Sequence, residues 1–213
     1  LEAWAHDARD SGVRALENLR NGVEAALRAL GKGFITEPTN EGLRQKLQKG
    51  EIDAQEYLRK LMRLVYRLIF LFVAEDRDLL LLPPSPQNDE ARKLCREHYS
   101  TARLRGKART PRDSRNKDLW VGLKTFMGLM YGGYVPLALP AFGSFLWSKD
   151  AMPELMDASI GNLDLLTAIR SLCWIETDNH NRQAVDWKNM GSEELGSIYE
   201  SLLEYIPSVR IGS

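Results

Sequence analysis

One long segment near the middle of the chain constrains the fold more than any other feature. Between residues 53 and 78, apolar side chains recur on most sides of a helical wheel: Leu58, Leu61, Met62, Val65, Leu68, Ile69, Phe72 and Val73. A helix that is apolar on most sides is buried on most sides, so we predict that it lies at the centre of the domain. It also carries Arg63, Arg67 and the run Glu75–Asp78, more charge than a membrane span tolerates.

Start and stop signals divide the rest of the chain into further helices. Asp53 is predicted to cap the central helix, with Glu56 completing a capping box. Gly31 and Gly33 are predicted to end the first helix. The other predicted helices span residues 3–30, 41–49, 88–104, 118–130, 162–174 and 192–205. They are accompanied by an exposed loop at 105–117, an irregular apolar segment at 136–153 and a short extended piece at 185–187. We predict an all-α fold, an irregular multi-helix domain of roughly seven helices with long loops.

The chain has 213 residues, which suffices for one sizeable domain or two small ones. It begins Leu-Glu-Ala-Trp and ends Ile-Gly-Ser, and both ends indicate a piece of a longer protein. We expect residues 1–50 to be an N-terminal helical segment that links to an upstream domain. Residues 51–206 would form a helical spacer or scaffold domain, and residues 207–213 a tail left by cloning.

The formal net charge of zero conceals two oppositely charged regions. Residues 92–117 contain ten Lys or Arg and two Asp or Glu, a net charge of +8. Residues 150–205 contain three Lys or Arg and eleven Asp or Glu, a net charge of −8. Basic side chains that neutralise phosphates bind DNA without regard to sequence and with strong salt dependence. The alternative is a solvated loop, or one that pairs with the acidic half.

We therefore predict that the basic stretch contacts the DNA backbone. The candidate residues are Arg103, Arg105, Lys107, Arg109, Arg112, Arg115 and Lys117.

The sequence shows no motif for catalysis, for cofactor binding or for a metal. It contains no Glu-x-Lys of a restriction nuclease and no phosphate-binding loop. It also lacks a glycine-rich turn after a strand and an Asn/Asp-Pro-Pro-aromatic motif. His6, His98 and His180 are scattered, and Cys95 and Cys173 lack metal-ligand spacing. Two buried thiols in a reducing cytoplasm are the expected state.

The run Glu75–Asp78 is the densest charged cluster on the central helix. One interpretation is a buried ion pair that orients a functional site. The favoured interpretation is a helix end where charges reach solvent and Arg77 pairs locally, or a structural tie to a neighbouring helix.

Five stretches resemble, in order, segments of Eco57I-like restriction–modification enzymes, of types IIG and IIL, and of related phage-defence methylases. Leu64–Arg77 is similar to their "LLFLFYAEDR" helix and Tyr99–Arg105 to their "YSLRRLR" stretch. Asp118–Phe126 resembles "LWxxLxxLF", and Leu139–Gly143 resembles "LPAxGG". Leu195–Tyr205 is similar to the "LGxIYExLLEY" segment that precedes the methyltransferase domain.

The resemblance implies a parent protein that methylates adenine N6 in DNA with S-adenosylmethionine. A nuclease in that parent would add Mg²⁺. This chain would be the helical region packed on the methyltransferase domain, with no cofactor of its own. Its expected partners are DNA and that adjoining domain, with no membrane contact, in the cytoplasm.

A second interpretation is a protein–protein docking module without DNA contact, whose acidic half meets a basic methyltransferase face. An exposed apolar patch on the last helix would favour it. That helix is predicted to pack through an apolar side formed by Leu195, Ile198, Tyr199, Leu202 and Leu203.

Overall fold

The computed structural model of the chain describes residues 2–111, 116–176 and 182–203. Within these ranges it describes the side chains of residues 17–111, 116–175, 182–197 and Glu200.

The described part of the chain is mostly α-helical, which confirms the predicted all-α class. The α-helices are α1 (Glu2–Thr36), α2 (Glu41–Gln48), α3 (Ala54–Asp76), α4 (Asp89–His98), α5 (Thr101–Ala108), α6 (Asp118–Leu129), α7 (Pro153–Asp157), α8 (Asn162–Cys173) and α9 (Ser192–Leu203). Short 3₁₀ turns occupy Val135–Leu137, Phe145–Trp147 and Lys149–Ala151. A small antiparallel hairpin pairs β1 (Trp174–Glu176) with β2 (Arg182–Ala184).

Helix α3 is the predicted central helix. Asp53 caps it through an oxygen that accepts from the Glu56 backbone N–H at 2.6 Å, as predicted. The Glu56 side chain pairs with Lys60 at 2.6 Å. The buried side chains of the helix cover most of its circumference: Tyr57, Lys60, Leu61, Met62, Leu64, Val65, Arg67, Leu68, Ile69, Leu71, Phe72 and Ala74. The prediction that α3 occupies the centre of the domain is confirmed.

Helix α1 packs along α8 and extends beyond its predicted end at Gly31 and Gly33. The helix continues through Gly31 and Gly33 to Thr36. A Cβ at position 33 would lie 2.6 Å from the Asp164 Cβ and 2.7 Å from the Ile160 Cδ1. Gly33 therefore permits close approach of the segment that begins α8, and this packing outweighs the poor helix propensity of glycine.

The core is one cluster of buried side chains that crosses the predicted boundary at residue 50. It includes Leu30 and Phe34 from α1, Leu68 from α3 and Leu166 from α8. Phe34 meets Trp120 of α6 edge-on, with ring centroids 5.4 Å apart. The N-terminal segment thus shares its core with the rest of the chain.

Three predicted boundaries after α3 were wrong. The helix expected at 88–104 is broken at Tyr99 and Ser100 into α4 and α5. The loop expected from residue 105 begins only after α5, because α5 continues to Ala108. The extended piece expected at 185–187 lies instead at Arg182–Ala184, and Trp187 is buried in a turn.

Two arginines of α3 hold the irregular segment of residues 142–152 against the core. Arg67 is fully buried and donates from Nε to the Leu146 carbonyl at 2.6 Å and from Nη2 to the Ser148 carbonyl at 2.8 Å. Arg63 donates to the Ala151 carbonyl at 2.6 Å. Burial lowers the pKa of Arg67 to about 10. A 3₁₀-rich segment without its own hydrogen-bond ladder is thereby fixed by side chains of a helix.

We expect Arg67→Leu to destabilise the protein by about 3 kcal/mol. The substitution removes the Arg67 donors from the part-buried Leu146 and Ser148 carbonyls, and each unsatisfied acceptor costs roughly 1–3 kcal/mol. Urea unfolding followed by circular dichroism measures the change. Arg59→Ala, at an exposed position of the same helix, is the control and should change stability by less than about 0.5 kcal/mol. Equal stability of the two variants would contradict the anchoring role of Arg67.

Candidate nucleic-acid interface

The C-terminal end of α3 places Glu75 at the start of α5. The Glu75 carboxylate accepts from the backbone N–H groups of Thr101 at 2.7 Å and Ala102 at 3.1 Å, and from the Thr101 hydroxyl. The Ser100 hydroxyl also donates to it, at 3.3 Å. These N–H groups have no partner within α5, and a carboxylate there also meets the positive end of the helix dipole. Desolvation by burial raises the pKa of Glu75, although these hydrogen bonds oppose that rise.

Asp76 joins the same two helices through an ion pair with Arg105. Its two oxygens accept from Nη1 at 3.0 Å and from Nη2 at 2.6 Å, the bidentate geometry favoured by guanidinium and carboxylate. The Arg105 side chain is 17% exposed, and its guanidinium lies 5.3 Å from the Phe72 ring centroid. Arg105 therefore fixes α5 to α3.

Asp78 ends α3 in the left-handed region, with φ of 55°. The Leu79 N–H donates to the Ala74 carbonyl at 2.8 Å and the Asp78 N–H to the Glu75 carbonyl at 3.0 Å, the Schellman pattern in which glycine is usual. An aspartate tolerates this conformation better than most residues, but it still costs free energy.

Two arginines of α4 hold the Asp78 carboxylate. Arg92 and Arg96 each donate to it at 2.8 Å, and Arg92 also donates to the Leu82 carbonyl. Partial desolvation opposes the shift, but the hydrogen bonds and charges of Arg96 and Arg92 hold the pKa of Asp78 below its usual value. Asp78 thereby ties α4 to the end of α3.

Arg77 contacts a later part of the chain, the segment that precedes α9. Its Nε donates to the Lys188 carbonyl at 2.8 Å and its Nη2 to the Met190 carbonyl at 2.7 Å. Nearby, Trp187 lies against Phe72, with ring centroids 5.6 Å apart. Arg77 therefore fixes the segment that leads into α9.

All four charges of Glu75–Asp78 thus act as structural ties, one of the predicted interpretations. Glu75 and Asp76 do not emerge into solvent, since their side chains are 12% and 27% exposed. A cavity of about 290 Å³ beside them is lined by Cys95, Ser100 and Arg105 among others. Its charged groups already have partners within the protein, so the cavity adds no evident ligand site.

The predicted DNA-contacting residues fall into three groups: exposed residues, residues paired within the protein, and residues outside the described part of the chain. Arg103 and Lys107 are exposed on one face of α5, four residues apart. Among the described residues, no atom beyond the chain neighbours and the backbone of α5 lies within 4 Å of the position that a Cβ of Gly106 would take. Arg109 is exposed and lies over the Trp174 ring, 5.2 Å from its centroid.

The other candidates lie elsewhere. Arg105 faces α3, as described above. Lys117 donates to Glu37 at 2.5 Å and to the Thr39 hydroxyl at 3.3 Å, and its side chain is 31% exposed. Arg112 and Arg115 lie outside the described residues. The structure therefore concentrates the candidate surface on Arg103, Lys107 and Arg109.

Neighbouring helix α4 adds cations that the sequence interpretation did not select. Lys93 and Arg96 are exposed, with side chains 74% and 57% accessible. Lys93 pairs with Glu97 only at 3.9 Å, a weak interaction at an exposed site. The sequence interpretation chose candidates from Arg103 onward and so omitted Lys93 and Arg96, although both belong to the same +8 region.

The described residues reveal no metal site. No group of three or more His, Cys, Asp or Glu among them could hold a metal ion. Cys95 and Cys173 are free and buried, and burial raises the pKa of each thiol to about 12. Buried thiols with high pKa values are poor nucleophiles. No helix in this part of the chain is long and apolar enough to cross a membrane.

Only part of the predicted apolar side of α9 lies among the described side chains. Leu195 is partly buried and packs on the core. The side chains of Ile198, Tyr199, Leu202 and Leu203 lie outside the described residues. Glu193, Glu194 and Glu200 are exposed, so the described surface of α9 is acidic.

Comparison of the chain with protein-family models, with curated proteins and with solved structures gave no significant match.

Arg105 and Lys107 provide a matched pair on one helix. We expect Arg105→Ala to cost about 3 kcal/mol or more, because it leaves two largely buried carboxylates without their cation. Lys107→Ala should cost less than about 0.5 kcal/mol, because the side chain is exposed. Urea unfolding of both variants tests the assignment. Similar destabilisation in the two variants would show that Arg105 is not the tie between α3 and α5.

Asp78 should make stability sensitive to acid. Its folded-state pKa is lowered, so ionised Asp78 stabilises the protein above its unfolded pKa of about 3.9, and this contribution disappears as pH falls through the folded value. Asp78→Asn keeps a residue that tolerates positive φ and should flatten the acid side of the stability profile. Urea midpoints measured between about pH 5 and pH 2 test this. Asp157→Asn, at an exposed position elsewhere, is the control, and an unchanged profile in Asp78→Asn would contradict the linkage.

Proposed function

We propose that this chain is a non-catalytic helical scaffold of an N6-adenine DNA methyltransferase of the restriction–modification type. In this proposal it works in the cytoplasm and contacts DNA through α5. The parent protein supplies the S-adenosylmethionine site, and Mg²⁺ where a nuclease is present. The observation that carries the DNA contact is the exposed cationic face of Arg103 and Lys107 on a helix held rigidly by Glu75 and Asp76.

The segments that carry the family resemblance contact one another, which supports the proposal. Glu75 and Asp76, in the first segment, bond to Thr101 and Arg105 in the second. Phe142 in the fourth segment meets Phe70 in the first, with ring centroids 5.4 Å apart, and Tyr99 in the second stacks on Phe126 in the third at 6.1 Å. Four of the five resembling segments thus pack together within one core.

A rigid mounting suits a backbone contact. Arg105 and Glu75 fix α5 at its middle and at its start, so Arg103 and Lys107 are presented without further ordering of the helix. Less backbone entropy is then lost on binding. Cations on such a surface neutralise phosphates and give affinity that falls steeply with salt.

The DNA contact is tested by fluorescence anisotropy with a labelled duplex across a salt series. Charge reversal at Arg103 and Lys107 should weaken binding and lower the slope of log affinity against log salt by about two, because two phosphates would no longer be neutralised. Reversal of the exposed Lys49 and Arg59 is the control and should leave the slope unchanged. Absent binding at low salt, or equal slopes in both variants, would refute the contact.

The parent activity has a separate test in the sequence of the full-length parent protein. A glycine-rich cofactor motif and an Asn-Pro-Pro-Tyr-type motif are expected downstream, where they would bind S-adenosylmethionine and face the target base. Their absence from the full gene would refute the methyltransferase assignment.

A docking module without DNA contact is the second candidate. The observation that favours it is the cluster of exposed apolar side chains in the turn after α6, where Tyr131, Tyr134 and Val135 are 52%, 44% and 81% exposed. Such residues are common at protein contacts when they form a patch. Duplex binding that is unchanged by charge reversal at Arg103 and Lys107 would favour this function.

A further inference from the structure

Tyr99 presents an aromatic ring at the junction of α4 and α5. One face of the ring is stacked on Phe126 of α6, with centroids 6.1 Å apart and planes inclined by 19°. Phe126 is 1% exposed, so the ring beneath Tyr99 is fixed in the core. Tyr99 is 38% exposed, so the contact with Phe126 leaves part of the residue accessible to solvent.

An arginine precedes Tyr99 in the sequence and another follows it, and both are exposed. Arg103 donates from Nη1 to the His98 carbonyl at 3.0 Å, which places its guanidinium beside the peptide that precedes Tyr99. Arg96 lies three residues before Tyr99 on α4 and is 57% exposed. The nearby carboxylate of Asp78 is bound by both Arg96 and Arg92, so these three groups together keep a net charge of +1 beside the ring.

We propose that Tyr99 is a stacking platform for an unpaired DNA base, with Arg103 and Arg96 binding the adjoining phosphates. Single strands are bound by this combination of an aromatic face and flanking cations, because every base has a π-face and every nucleotide a phosphate. A base paired within a duplex cannot offer its face, so the platform requires a locally opened strand.

This inference rests on the proposed function, and it specifies the form of DNA recognised. An enzyme that modifies a base takes it out of the stack, which leaves unpaired nucleotides near the catalytic domain. Tyr99 would hold one of them, whereas Arg103 and Lys107 contact phosphates of either form. Loss of the platform therefore affects single strands and spares duplex binding.

The test compares Tyr99→Leu with Tyr99→Phe by fluorescence anisotropy, with a labelled oligothymidylate of about 10 nucleotides and with a duplex. Leucine keeps an apolar contact with Phe126 but removes the aromatic face, whereas phenylalanine keeps the face. We expect Tyr99→Leu to weaken single-strand binding about tenfold, Tyr99→Phe to retain it, and duplex affinity to stay unchanged in both. Tyr131→Leu, at another exposed tyrosine, should leave single-strand binding unchanged.

A crosslinking experiment on the unaltered protein gives a readout that does not depend on variant folding. An oligothymidylate carrying iododeoxyuridine is irradiated with the protein, and the crosslinked peptide is identified by mass spectrometry. We expect the crosslink at Tyr99, and a crosslink elsewhere would overturn the platform.

Three outcomes separate this inference from the proposed function. Single-strand binding that is equal in Tyr99→Leu and Tyr99→Phe, or weakened equally in Tyr131→Leu, overturns the platform. Duplex binding without single-strand binding overturns the platform and leaves the scaffold function standing. Binding of neither form overturns both.

Discussion

The contact between the end of α3 and the start of α5 governs the exposed chemistry of this domain. Glu75 occupies the N-terminal N–H groups of α5, and Asp76 holds Arg105 in a bidentate pair. Largely buried carboxylates are costly unless they are paired and hydrogen-bonded, and here each has several donors. The cost of burying charge is thus offset by groups that can come only from α5. The consequence is one defined orientation for that helix, and with it for Arg103 and Lys107.

The same helix end also fixes two other parts of the chain. Asp78 holds α4 through Arg92 and Arg96, while Arg77 holds the segment before α9 through two carbonyls. Further back on α3, Arg67 fixes the irregular stretch that contains Trp147. A helix that is apolar over most of its surface therefore organises its neighbours through its few charged residues. Apolar burial supplies most of the stability, and the polar contacts select one arrangement of the short elements.

Sequence patterns correctly predicted the structural features that depend on local residue spacing. They failed for helix boundaries that depend on contacts with residues distant in the sequence. Burial of α3 and its cap at Asp53 followed from periodicity and from a short-range signal. The continuation of α1 through Gly33 depends on Ile160 and Asp164, which no local rule reveals. The break between α4 and α5 has a local cause as well as a distant one, because the Ser100 hydroxyl caps the Ala102 N–H while Glu75 accepts from the Thr101 and Ala102 N–H groups from another helix. For the candidate site, the sequence located the cations but not their partners. Arg105 and Lys117 meet carboxylates 29 and 80 residues away, so charge density alone overstated the available surface.

Exposure decides which of these charges respond to salt. Exposed charges are screened within a Debye length of about 8 Å at physiological ionic strength, whereas largely buried pairs are screened much less. The Arg105–Asp76 pair is shielded by Phe72 and by burial, while Arg103 and Lys107 face solvent. Raising the salt concentration should therefore weaken a phosphate contact without loosening the mounting of α5. Salt dependence of DNA affinity then reports on the interface itself, and a concurrent loss of helical signal would mean that the buried ties are weaker than their geometry implies.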